Sequence, residues 1–179
     1  MIKTGQVLDK QFEISIDSST IQKRINEIAE QINQKYANQE VFFIGILNGS
    51  FMFFSDLLKK INVDCQISFL KVASYQGTST TGSVKKLIGL TDDISNKNII
   101  IVEDIIDTGI TMESILQQIY EHQPKVVEIA TLLYKPNAFE KNYKLHYIGF
   151  EIPNDFVVGY GLDYNGLGRN LDAIYKLKS

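Results

Sequence analysis

Apolar residues recur at helical spacing from Ile21 to Tyr36. Ile21, Ile25, Ile28, Ile32 and Tyr36 form one stripe between polar positions, which predicts an amphipathic first helix capped by Ser18, Ser19 or Thr20. The pattern then changes. "VFFIGIL" (Val41 to Leu47) is an unbroken apolar run, the pattern of a strand covered on both faces, and "NGS" leads from it into the helix-like "FMFFSDLLKKI". A second strand, loop and helix follow. "NIIIVED" reads as the strand, "IIDTGI" as the loop, and Met112, Ile115, Leu116, Ile119 and Tyr120 as the inner stripe of a helix closed by Pro124. "QISFLKVA" and "KLIGL" supply two strands before this unit, and "VVEIATLLY" and "YIGFEI" supply two after it. Strands alternating with helices predict an α/β fold with a mainly parallel, twisted sheet flanked by helices.

Between Ser74 and Val84 lies "SYQGTSTTGSV", small, polar and too long for a tight turn. It reads either as a surface loop or as a lid over a site. No repeat or linker interrupts the chain, so residues 1–179 read as a single domain.

Composition narrows the class. With 44% apolar and 22% charged residues, and ten Phe and nine Tyr among 179, the chain has material for one core without a disulfide or structural metal. Cys65, in "DCQISFL", is expected to be a small buried hydrophobe. The 18 basic and 21 acidic residues give a net charge of -3 with no Lys/Arg cluster, which disfavours nucleic-acid binding. "MIKTGQVLDK" has no apolar leader core, and no run approaches the roughly 18 apolar residues of a membrane span. A soluble cytoplasmic protein is expected.

The candidate chemistry lies in "IIIVEDIIDTGITM". In a parallel α/β sheet, ligands bind beyond the carboxyl ends of the strands, and Glu103 and Asp104 fall where the strand from Asn98 is expected to finish. Asp107, Thr108, Gly109 and Thr111 form a loop entering a helix N-terminus, where free amides and the positive dipole end favour a phosphate. Carboxylates repel phosphate. They make sense against another part of the ligand: sugar hydroxyls, a bound Mg²⁺ or a developing cation. Together these groups suit a phosphorylated ribose. On its own, Asp107 reads equally as a helix N-cap, and the acid pair as an exposed strand end.

"VEDIIDTGITM" resembles the phosphoribosyl pyrophosphate (PRPP) signature of the type I phosphoribosyltransferases, and its Glu-Asp-Ile-Ile-Asp-Thr-Gly form most resembles the hypoxanthine-guanine members. The resemblance runs from Val41 to Leu171. It implies transfer of a phosphoribosyl group from PRPP to hypoxanthine or guanine, releasing pyrophosphate and a nucleoside monophosphate through an oxocarbenium-like transition state. Asp107 would be the general base at the purine N7. Glu103 and Asp104 would hold the ribose hydroxyls, directly or through Mg²⁺, with Thr108, Gly109, Ile110 and Thr111 around the phosphate. "LNGSFMF" is similar to the family's pyrophosphate loop, placing Leu47, Asn48, Gly49 and Ser50 there with a cis Leu47-Asn48 peptide, and Arg169 as a further pyrophosphate contact. Ser74 and Tyr75 match the lid. Lys135 would read the purine 6-oxo group, Phe156 would stack on the ring, Val157 would meet the base through its main chain, and Asp163 would be a second Mg²⁺ anchor beside Glu103 and Asp104. The N-terminal segment and residues 150–179 would form a purine-binding hood, and a homodimer or homotetramer is implied.

Two positions depart from the family pattern. Asn48 stands where many relatives carry a basic residue, and Ile110 replaces a frequent lysine. Three other readings make different predictions. A PRPP-sensing regulator would lack base-recognition residues, and an aspartic protease, which shares Asp-Thr-Gly, would be all-β. An adenine or orotate transferase would not favour Lys135, since lysine offers only donors and the adenine 6-amino group is itself a donor. The sequence does not rank hypoxanthine, guanine and xanthine.

Overall fold

In the computed structural model the described residues are 5–73, 85–89 and 91–178. The lid residues Ser74 and Tyr75 lie outside them. Strands β1 (Gln6–Val7) and β2 (Lys10–Ile16) precede helix α1 (Ser18–Lys35). The helix forms where its stripe predicts, with Ile21, Ile25, Ile28 and Ile32 at 0% exposure. Burial of each such side chain contributes about 1.5–3 kcal/mol. The cap differs from the expectation. Asp17 keeps an extended backbone and accepts the Thr20 N–H at 2.9 Å, while Ser18 to Thr20 are already helical.

The rest of the core unit runs β3 (Val41–Leu47), α2 (Phe51–Leu58), β4 (Cys65–Ala73), β5 (Lys85–Ile88), β6 (Asn98–Ile106), α3 (Ile110–Glu121), β7 (Val126–Tyr134) and β8 (Tyr147–Glu151). These six strands form one sheet in the order β5-β4-β3-β6-β7-β8, with only the β4/β5 pair antiparallel. Alternate residues of β3 face opposite ways, as a strand covered on both faces requires. Val41 and Phe43 pack with α1 and α2 in one core, and Phe42, Ile44 and Ile46 pack with α3 in the other. From β3 the chain crosses to β4 on one side, and the later β6 lies on the other side. The sheet order therefore reverses between β3 and β6, which is where an open α/β sheet offers a crevice at the strands' carboxyl ends.

Three further expectations need correction. Tyr120, read into the inner stripe of α3, is 56% exposed, while Met112, Ile115, Leu116 and Ile119 are buried. Strand β6 does not stop at Glu103 and Asp104 but runs to Ile106, because its pairing with β7 continues through Ile105 with Leu133 and Ile106 with Tyr134. Its pairing with β3 ends earlier, at Gly45 with Val102, so the two acids lie where these strands part. Cys65 is exposed rather than buried. It starts β4 ahead of the stretch that β5 covers, which begins at Lys71, and burial together with the Asp64 charge raises its thiol pKa, so it is no activated nucleophile.

A second, antiparallel sheet has the order β1-β2-β10-β9, joining the N-terminal strands to β9 (Val157–Val158) and β10 (Ile174–Leu177). Val7, Phe12 and Val158 form its small core, while Val157, Tyr160, Leu162 and Ile174 pack into the α1/α2 core. The two ends of the chain thus close on the same side of the main sheet.

Candidate active site

The loop after β3 and the loop after β6 face each other across the switch point. Leu47-Asn48 is a cis peptide, as the family resemblance implies. Gly49 follows, buried, and a Cβ there would overlap the Asp104 carboxylate oxygen Oδ2. Only hydrogen fits. Ser50 is fully buried and its hydroxyl donates to the Ile46 carbonyl at 2.6 Å, so its side chain ties the loop to β3. Asn48 is exposed.

Across the crevice, Glu103 is 8% exposed and accepts the Asp104 N–H at 3.1 Å. Burial first, and then the hydrogen bonding and charge of Asp104, raise the Glu103 carboxyl well above the usual carboxylate range. The pair is therefore arranged to share a proton or face a cation. Residues 107–109 then turn into α3, with Gly109 in the left-handed region at φ 83° as the helix N-cap. Asp107 makes no cap, which removes its structural reading. The first turn of α3 leaves amides without intrahelical partners, beside the exposed Thr108 and Thr111, and Ile110 is 51% exposed. Glu103, Asp107, Thr108, Gly109 and Thr111 line a pocket of about 100 Å³.

Lys135 follows β7, and its Nζ lies 2.9 Å from Asp107 Oδ2. The lysine is nearly buried while the Asp107 side chain is half exposed, so the pair points one charged group from the sheet into an open crevice. Phe156 is 45% exposed and rests against Phe12 and Tyr164 at ring-centroid separations of 6.3 and 5.8 Å. Val157 is buried in β9, paired through its backbone with Lys176. Asp163 forms an ion pair with Arg169 and accepts the Gly166 N–H at 2.7 Å, and Arg169 Nη1 donates to the Gly161 carbonyl at 2.7 Å.

The three carboxylates Glu103, Asp104 and Asp163 do not converge: among the described residues no group of three or more His, Cys, Asp or Glu forms a preassembled metal cage. An all-oxygen donor set split between an acid pair and one more aspartate fits Mg²⁺, which takes one or two carboxylates and completes its shell with waters and substrate phosphates.

Sequence reasoning missed the residues that shape the crevice from behind. Tyr143 donates to the Gly109 carbonyl at 2.9 Å, and a Cβ at Gly109 would run into Tyr143 and Phe139. The Gly-Tyr-Gly at 159–161 forms an unusual turn. All three residues have positive φ, and Gly161 sits so close that a Cβ would overlap the Gly49 carbonyl.

A strand-end acid pair and an amide-rich helix entry at the switch point define an α/β enzyme that handles a phosphorylated ligand. The protease reading fails, because Asp-Thr-Gly here connects a parallel strand to a helix. The phosphoribosyl transferase domain model matches residues 16–165, and the chain belongs to that family, with the type I fold. It is 41% identical over 167 residues to the hypoxanthine-guanine phosphoribosyltransferase of Staphylococcus aureus (strain Mu50 / ATCC 700699), covering 93% of each chain. It is also 41% identical over 168 residues to the hypoxanthine phosphoribosyltransferase of Escherichia coli (strain K12), covering 92% of this chain and 94% of that one. A crystal structure of a Staphylococcus aureus hypoxanthine phosphoribosyltransferase superposes with a TM-score of 0.85 at 41% identity, over 93% of this chain and 91% of that one.

Proposed function

We propose that this chain is a purine-salvage enzyme that transfers the phosphoribosyl group of PRPP to hypoxanthine, guanine or both, giving the nucleoside monophosphate and pyrophosphate. The observation that carries this reading is the Lys135–Asp107 pair, held at 2.9 Å on adjacent strand ends beside the α3 amides. The 5′-phosphate of PRPP takes the Thr108–Thr111 turn, where backbone donors, rather than the lysine many relatives place at Ile110, supply the binding. The ribose hydroxyls meet Glu103 and Asp104. Pyrophosphate takes the Asn48–Ser50 loop, with the forked donors of Arg169 on its far side.

Between Phe156 and Lys135 the purine has a stacking platform and a donor for its 6-oxo oxygen. Asp107 then accepts the N7 proton as N9 bonds to the ribose carbon and the bond to pyrophosphate breaks. Positive charge on the ribose grows beside the acid pair, which stabilises it electrostatically. Glu103, Asp104 and Asp163 would hold Mg²⁺, which when bound would supply charge neutralisation of the leaving pyrophosphate. Residues 150–178 with β1 and β2 act as the purine hood, Ser74 and Tyr75 as part of a lid, and the cytoplasm is the compartment.

The chain works as a homodimer or homotetramer in this reading. Phe51, Ile67 and Phe69 are 41%, 51% and 38% exposed on the α2 side of the sheet, more aromatic surface than an isolated helix and strand need to show water.

Purified protein with PRPP, Mg²⁺ and each of hypoxanthine, guanine, xanthine and adenine tests the reading. Nucleotide forms from hypoxanthine or guanine and not from adenine. No nucleotide from either oxopurine contradicts it.

A further inference from the structure

Tyr160 is 2% exposed, and its hydroxyl is engaged twice. It donates to Asp56 Oδ2 at 2.6 Å, and the Gln22 amide donates to the same carboxylate oxygen at 2.6 Å and approaches the Tyr160 oxygen at 3.2 Å. Lys59 donates to the other Asp56 oxygen at 2.8 Å. Burial raises the Asp56 carboxyl, but the hydrogen bonds from Lys59, Tyr160 and Gln22 outweigh it and leave the pKa below its ordinary value. Asp56 is therefore a charged acceptor, and bonds to charged acceptors are the stronger kind. This cluster joins α1, α2 and the C-terminal sheet's loop.

The loop it holds leads straight to the crevice. Tyr160 has φ 47° between Gly159 and Gly161, a backbone state that a tyrosine adopts only when its surroundings hold it there. Gly161 approaches Gly49 so closely that a Cβ on it would overlap the Gly49 carbonyl, and a Cβ on Gly49 would overlap Asp104 Oδ2. The Gly161 carbonyl accepts from Arg169, which pairs with Asp163. The turn that carries this hydroxyl, held also by the Tyr160 and Gly161 amides on the Leu171 and Arg169 carbonyls, thus lies against the loop after β3, and that loop lies against Asp104 of β6.

We infer that Tyr160, anchored by Asp56, is a positioning residue for the pyrophosphate half of the site: it clamps Gly161 onto Gly49 and thereby sets how the Asn48–Ser50 amides, Asp104 and Arg169 face the ligand. The inference rests on the proposed assignment of those groups to PRPP. The purine contacts proposed at Lys135, Phe156 and Val157 lie outside the relay, and only Asp163, paired with Arg169, lies in it, so the clamp acts mainly on the pyrophosphate side.

Tyr160→Phe removes the hydroxyl and little else. Tyr147→Phe is its matched control, since the Tyr147 hydroxyl donates to the buried Glu128 carboxylate at 2.7 Å, away from the site. Tyr160→Phe raises the KM for PRPP, and that for pyrophosphate in the reverse reaction, by roughly ten-fold, with the KM for hypoxanthine within about two-fold of wild type. Tyr147→Phe lowers the melting temperature while leaving all three constants in place. Should Tyr160→Phe fail to fold, Asp56→Asn reads the same bond from its acceptor side with the same expected split. An unchanged PRPP KM in Tyr160→Phe, or an equal rise in Tyr147→Phe, overturns the inference. Wild-type protein without PRPP-dependent turnover would overturn the underlying assignment instead, so the two failures are distinguishable.

Discussion

Lys135 Nζ sits 2.9 Å from Asp107 Oδ2, joining the end of β7 to the loop after β6. The cation proposed to read the purine and the carboxylate proposed to take its proton are thus mutual partners before any ligand arrives. Each is kept oriented by the other, and in the proposed reading the two face the neighbouring 6-oxo and N7 positions on one edge of the purine.

Lys135→Ala removes the donor facing the 6-oxo position. The KM for hypoxanthine or guanine rises by roughly ten- to a hundred-fold, the usual cost of a hydrogen bond to a charged group, while PRPP affinity measured by calorimetry changes much less. A collapse of PRPP binding with unchanged base selectivity would move Lys135 to the phosphate side of the site.

Gly49→Ala tests the crevice wall. The new methyl group overlaps Asp104 Oδ2, so the carboxylate swings away from its present position. A displacement of this size costs about ten- to a hundred-fold in kcat/KM for PRPP, with secondary structure by circular dichroism unchanged. Wild-type kinetics in this variant would show that Asp104 has freedom the structure does not suggest.

Acid stability depends on a cluster outside the site. Glu128 is 3% exposed and accepts from Tyr36 at 2.8 Å, from Tyr147 and from Lys35, with His146 at 3.7 Å. Burial raises its carboxyl, and the hydrogen bonds from Lys35, Tyr147 and Tyr36 more than offset this, leaving its pKa below 4.5. Burial lowers the His146 pKa below 6.5, ahead of the opposing attraction of Glu128. In both cases the unfolded chain binds protons more readily, so stability falls as pH drops, first from about 6.5 through the His146 step and then below about 4.5 through the Glu128 step. Melting curves across this range show the decline, and Glu128→Gln flattens its lower part while reducing the melting temperature near neutral pH.

Periodicity made the main sheet legible, and the reasons for its limits are physical. The unbroken apolar run of β3 and the largely apolar run of β7, interrupted by Glu128 and Thr131, located both strands to the residue, because strands buried on both faces leave no regular polar alternation to blur their ends. The end of β6 was misplaced, since a strand whose neighbour on one side has stopped pairing can carry acids while the other neighbour still bonds it. Cys65 was misassigned for a related reason: the composition of β4 reads as core, but β5 pairs with it only from Lys71 onward. The motif that ends β6 and enters α3 was legible as three acids beside an amide turn. The second sheet did not, because β1 and β9 have two residues each and only tertiary pairing between the chain's two ends makes them strands. Tyr160 and Tyr143 were invisible for the same reason, as their partners Asp56 and Gly109 are remote in sequence.

The most direct test follows pyrophosphate and nucleotide in parallel, for wild type and Asp107→Asn, with PRPP, Mg²⁺ and hypoxanthine at saturation. One pyrophosphate per nucleotide, and a turnover in the variant lower by roughly a hundred- to ten-thousand-fold with PRPP binding retained, is the predicted result. Pyrophosphate released without nucleotide, or a variant as fast as wild type, would contradict base-assisted phosphoribosyl transfer at this site.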